Sequence, residues 1–167
     1  MNWYFYASGI VAVIAALMVV TRANAMHALL YLVTLFLAIA STFWTLGAPF
    51  LAALQIIIYA GAIMVLFVFV VMMLNVPNEA QRERTWIRSM IWVLPALLVL
   101  ILLAQFIIAV KLEAYPAGAV IGSKAVGRSL FTEYVIGVEL ASLLLLAGLI
   151  AAFHFGVLPE RMESPND

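Results

Sequence analysis

Polar residues divide this chain into five apolar stretches, approximately 3–20, 28–46, 50–74, 90–110 and 131–155. Each is close to the ~20 residues that a helix rising ~1.5 Å per residue needs to cross a hydrocarbon core. The pattern predicts an all-α, polytopic membrane protein with five transmembrane helices. Gly47, Ala48 and Pro49 alone join the second and third stretches, and the first joint is also short, so the first three helices are expected to be antiparallel neighbours. The connection 75–89 is polar, and the one from Lys111 to about Leu130 is the longest and rich in Gly, Ala and Ser. No internal repeat is visible, which argues against an inverted-repeat transporter. On this reading residues 1–158 form the transmembrane domain and 159–167 a short polar tail.

The third stretch departs from a plain lipid-facing span. Tyr59 lies near its middle and is followed at once by Ala60, Gly61 and Ala62. A mid-helix glycine costs stability and a phenol in hydrocarbon needs a partner, so this helix is expected to face other protein as well as lipid. Gln55 and Tyr59, four residues apart, share a helical face and line up an amide with a phenol. They suit a hydrogen-bonded path, although an interface in which Tyr59 only packs explains them equally well.

Composition agrees with a membrane protein, since 68% of the 167 residues are hydrophobic and 10% charged. Eight basic and eight acidic residues cancel, which removes the electrostatic footprint of a nucleic-acid binder. The absence of cysteine excludes disulfides, iron–sulfur ligation and thiolate metal sites within this chain. His27 and His154 lie in different stretches and make no metal or haem site between them. Ala23-Asn24-Ala25 resembles a signal-peptidase site, but the first stretch has no basic n-region and is longer than a signal core, so it is read as a span. An outside N-terminus places Arg22, Arg82, Arg84, Arg88 and Arg161 in the cytoplasm and Lys111, Lys124 and Arg128 outside. That balance favours an outside N-terminus and a cytoplasmic C-terminus.

Glu139 is the one formal charge deep in a stretch. A charge at mid-span costs ~2.5–3.5 kcal/mol on insertion scales and is seldom kept without use. Hydrocarbon favours the neutral form of a carboxyl group, which suits a residue that takes up and releases a proton. Ser142, three residues on, shares its face and is a candidate hydrogen-bond partner. Glue between helices is the competing role. With the assumed orientation, Tyr59 and Glu139 lie in the outer halves of their helices, at depths that permit contact.

Other features carry less. Gly148, Ala152 and Gly156 form a small-residue ridge suited to close helix packing. Met64, Met72 and Met73 among Phe67 and Phe69 suggest a pliable quinone surface, but such residues far more often face lipid or core. Trp3, Tyr4 and Tyr6 read as an interfacial aromatic belt. No nucleophile–base pair, phosphate loop or paired carboxylates appear, so no catalytic residue is expected in this chain.

The segments HALLYL (27–32), IIIYAGAIMVLFVFVVMMLN (56–75), KAVGRSLF (124–131) and VELASLLLLAGLIAAFH (138–154) resemble the subunit J family of bacterial NADH:quinone oxidoreductase, the counterpart of mitochondrial subunit 6. The resemblance runs in order along essentially the whole chain. It implies a membrane-arm subunit of respiratory complex I in the bacterial inner membrane, with no redox centre of its own and FMN and iron–sulfur clusters on partner subunits. Its neighbours would be the quinone-site subunit, the antiporter-like subunits and lipid, with quinone bound by the complex. It also implies a π-bulge in the third helix that interconverts with regular α-helix, which maps here to Tyr59–Val65, around Ala60, Gly61, Ala62 and Met64. A glutamate stands in that family where this chain has Gln55, which leaves Glu139 as the intramembrane carboxylate. A subunit of a cation/proton antiporter or membrane hydrogenase is the alternative from another class, and a purely structural protein a third.

Overall fold

The computed structural model describes residues 2–74, 88–111 and 120–157, and every element among them is helical. The chain divides into two units, Met1–Gly122 and Ser123–Asp167. The first contains α1 (Asn2–Thr21), α2 (Ala25–Thr45), α3 (Pro49–Leu54), a π-helical segment (Gln55–Ile63), α4 (Met64–Met73) and α5 (Arg88–Lys111). The second contains α6 (Ser123–Thr132) and α7 (Val135–Val157). The polar loop with Arg82 and Arg84, the stretch 112–119 and the tail with Arg161 lie outside the described residues.

Three of the expected spans appear nearly as drawn: α1, α2 and a continuous third span, Pro49–Met73, made of α3, the π segment and α4. The fourth is α5, whose described side chains give a shorter apolar run, Val93–Ile108, with Pro95 inside the helix. The fifth needs correction. Phe131 does not begin it but lies within α6, and the span α7 starts at Val135. The connection read as a loop thus holds a ten-residue helix, SKAVGRSLFT, in which apolar and polar positions alternate at helical spacing. Thr132 is its last residue, with its hydroxyl donating to the Arg128 carbonyl (2.8 Å), and the Glu133 and Tyr134 amides both bond the Ser129 carbonyl.

Local chemistry fixes the joints. Asn24 caps α2 by accepting from the Met26 and His27 amides at 2.9 and 3.4 Å, which is why the helix starts at Ala25 rather than 28. At the far end of α2 the Gly47 amide bonds the Trp44 carbonyl and the Ala48 amide bonds the Phe43 carbonyl, the paired bonds of a Schellman motif. Gly47 takes the left-handed conformation this requires, with φ 81°, and Pro49 opens α3.

Small residues let α1 and α2 approach closely: Ser8, Ala15 and Ala38 are fully buried, and Thr42 donates to the Ser8 hydroxyl at 3.2 Å across the seam. Val11, Tyr31, Ala38, Leu98 and Leu102 form the core where α5 joins the pair. The Arg22 guanidinium, at the α1 end, lies 5.8 Å from the buried Tyr31 ring and donates to the Met18 sulfur at 3.3 Å.

Candidate functional site in the third span

Burial along the third span changes phase within it. Ala52 and Gln55 are buried, and a straight α-helix at ~3.6 residues per turn would carry that face on to Tyr59, Ala62, Leu66 and Phe69. Those four are exposed. The inward residues are instead Met64, which is fully buried, and the half-buried Val68 and Val71. The π segment supplies the offset. Its bonds run to the fifth residue back, as in the Met64 amide to the Tyr59 carbonyl, so each residue turns about 80° rather than about 100°. Over the segment the difference amounts to roughly one to two residues of rotation, enough to bring Met64 onto the face of Gln55. That face packs on α2.

The expected irregularity therefore exists, but it begins at Gln55, one turn before Tyr59, and ends at Ile63. Ala60, Gly61 and Ala62 lie inside it, whereas Met64 and Val65 already belong to α4. Gly61 is suited to its place because a Cβ there would stand 3.3 Å from the Ile56 carbonyl oxygen, the acceptor five residues back. Tyr59 and Gln55 remain on neighbouring parts of the helix surface but differ in burial. Gln55 is turned into the unit, while Tyr59 is 47% exposed with its ring 5.5 Å from that of Phe36 on α2, at a tilt of 59°. Ile56 lines an apolar groove of about 360 Å³ with Leu37, Trp44, Ala52, Leu102 and Phe106. The methionine cluster resolves into one core residue, Met64, and exposed Met72, Met73, Phe67 and Phe69.

In the second unit Glu139 is exposed on α7, and none of the described α7 side chains, 135–156, is buried. The Ser142 hydroxyl does not bond the carboxylate. It donates to the Val138 carbonyl at 3.0 Å, because the backbone acceptor one turn back lies within reach of any helical serine. The Gly148, Ala152 and Gly156 ridge is likewise exposed within this unit. Among the described residues no group of three His, Asp or Glu side chains converges as a metal site. Sequence reasoning missed Phe36 as the ring beside Tyr59, and missed Gln105 on α5, whose amide oxygen is buried without a hydrogen bond. An isolated glutamine in an apolar run was the available signal for the second.

Comparison with known proteins gives this geometry a family. The family described as NADH-ubiquinone/plastoquinone oxidoreductase chain 6 matches residues 15–155. NADH-quinone oxidoreductase subunit J of Pseudomonas aeruginosa is 54% identical over 162 residues, covering 93% of this chain and 96% of the relative. Subunit J of Escherichia coli is 51% identical over 159 residues, covering 93% and 86%. That of Buchnera aphidicola subsp. Acyrthosiphon pisum is 42% identical over 159 residues, covering 93% and 94%. A family match over residues 15–155, together with relatives at this identity over 93% of the chain, means that the chain belongs to the chain 6 family of NADH-quinone oxidoreductases, the family of bacterial subunit J.

Proposed function

We propose that this protein is a membrane-arm subunit of a proton-pumping NADH:quinone oxidoreductase and helps couple quinone reduction to proton translocation. It contributes no redox centre; FMN and iron–sulfur clusters reside on partner subunits, and quinone is bound by the complex rather than mainly by this chain. Its neighbours are the quinone-site and antiporter-like subunits together with lipid. It lies in the bacterial inner membrane with the N-terminus outside and the tail 159–167 in the cytoplasm. The names of the matched relatives support this reading over an antiporter or hydrogenase subunit.

The observation that carries the coupling role is the π segment Gln55–Ile63. Rewinding it as α-helix would turn everything beyond it by on the order of 100–160°. Met64, Val68 and Val71 would leave α2, and Leu66 and Phe69 would replace them. Gly61, Ala60 and Ala62 keep that change inexpensive, and Met64 and Val65 are the first residues carried around. Tyr59 and Gln55 sit on the moving element, so their hydrogen-bonding reach changes with it, and Glu139, with Ser142 one turn on along α7, is the intramembrane carboxyl group of the coupling path. Two measurements test the proposal. The native complex should co-purify with FMN and iron–sulfur clusters, and their absence would place the chain in another assembly. Gly61→Val should lower NADH-driven pumping more than the amount of assembled complex; equal losses would reduce the segment to a packing feature.

A further inference from the structure

One turn beyond the apolar core of the first unit, three helices each turn a polar side chain inward. Leu98, Leu102 and Gln105 form one stripe on α5, Tyr31, Thr34, Ala38 and Thr42 one on α2, and Val11 and Ser8 lie one turn apart on α1. The core joins Val11, Ala38, Leu98 and Leu102, and Trp44 meets Phe106 edge to face at 5.6 Å, so α2 and α5 run parallel and their far ends are level. From this core the next positions toward the Asn2, Thr45 and Lys111 ends are Ser8, Thr42 and Gln105.

The hydrogen-bond inventory of this layer is lopsided. Ser8 donates to the carbonyls of Tyr4 and Phe5 at 2.9 and 3.0 Å. Thr42 donates to the Ala38 carbonyl at 2.9 Å and to the Ser8 oxygen at 3.2 Å. Both hydroxyl protons are thus committed within the layer, so neither hydroxyl can donate to Gln105, whose amide oxygen is buried and accepts from nothing among the described residues. A buried acceptor left unmade is costly, and the Thr42 oxygen at the same level of α2 keeps a lone pair, so the layer calls for a double donor.

We infer that Gln105 and Thr42 hold an ordered water molecule between α1, α2 and α5, with Ser8 fixing the Thr42 hydroxyl. The water donates one hydrogen to the Gln105 amide and the other to the Thr42 oxygen. If the amide is turned over, the water accepts from its NH2 group and still donates to Thr42, so the site is satisfied either way. Two to four polar partners is the usual requirement for a buried water, and the layer supplies them where the neighbouring turns are apolar.

A map of the assembled native complex at water-resolving resolution tests this. The expected result is a discrete peak within hydrogen-bond distance of both the Gln105 amide and the Thr42 hydroxyl, absent from the maps of Gln105→Leu and of the nearly isosteric Thr42→Val. Should Gln105→Leu fail to assemble, the wild-type and Thr42→Val maps decide. A Gln105 amide bonded directly to a protein group, a dry layer in the wild type, or a peak that survives either substitution overturns the inference.

Discussion

Gly61 and Glu139 make opposite demands on their surroundings. At Gly61 the backbone is the issue. An alanine is favoured over glycine in an α-helix by up to ~1 kcal/mol, but in the π segment its Cβ would crowd the Ile56 carbonyl at 3.3 Å. Gly61→Ala should therefore enrich particles whose third span is continuous α-helix when the complex is imaged and classified; an unchanged distribution would show that Gly61 does not set the balance. Glu139 is a matter of charge. Its side chain is exposed on α7, so whatever surrounds it in the membrane comes from outside its own unit. Glu139→Gln keeps shape and most hydrogen-bonding capacity while removing the titration. A partial loss of protons pumped per NADH, with normal amounts of complex, is the expected outcome. Full pumping across the pH range would assign Glu139 to helix packing.

Elements were legible in the sequence to the extent that hydropathy determines them. Five spans could be drawn because a chain in hydrocarbon must satisfy its own backbone, and helices do so over a fixed length. What hydropathy could not reveal were changes of geometry inside an apolar run. The sequence IIIYAGAIMVL is apolar whether wound as π or α, and only the shift in burial from Ala52 and Gln55 to Met64 exposes the difference. The family resemblance located the irregularity, and its start at Gln55 emerged only from the backbone. Likewise α6 was hidden in a Gly- and Ser-rich connection because amphipathic periodicity over ten residues is a weak signal. Two element-level substitutions have predictable signs. Asn24→Ala removes the cap of α2 and should cost about 0.5–2 kcal/mol, lowering the thermal midpoint of the complex. Ala38→Leu places extra methyl groups in the α1–α2 seam and should cost about 1–3 kcal/mol, read as less assembled complex in the membrane.

For the whole molecule the decisive property is its unfinished surface. Large apolar side chains on the third span and on α7 from Leu140 to Phe155 are exposed, as suits a chain completed by lipid and neighbouring subunits. Orientation is testable at this scale: alkaline phosphatase fused after Asp167 should be inactive and a cytoplasmic reporter active, and the reverse would invert the assignment. The turn between α2 and α3 bears on how this surface is made. Only three residues, Leu46 to Ala48, separate Thr45 from Pro49, and Gly47 is held left-handed at φ 81°. So short a link cannot carry the chain back across a bilayer, so the two spans cross in opposite directions. The direction in which α2 crosses therefore dictates that of the π-containing span, without help from any partner subunit.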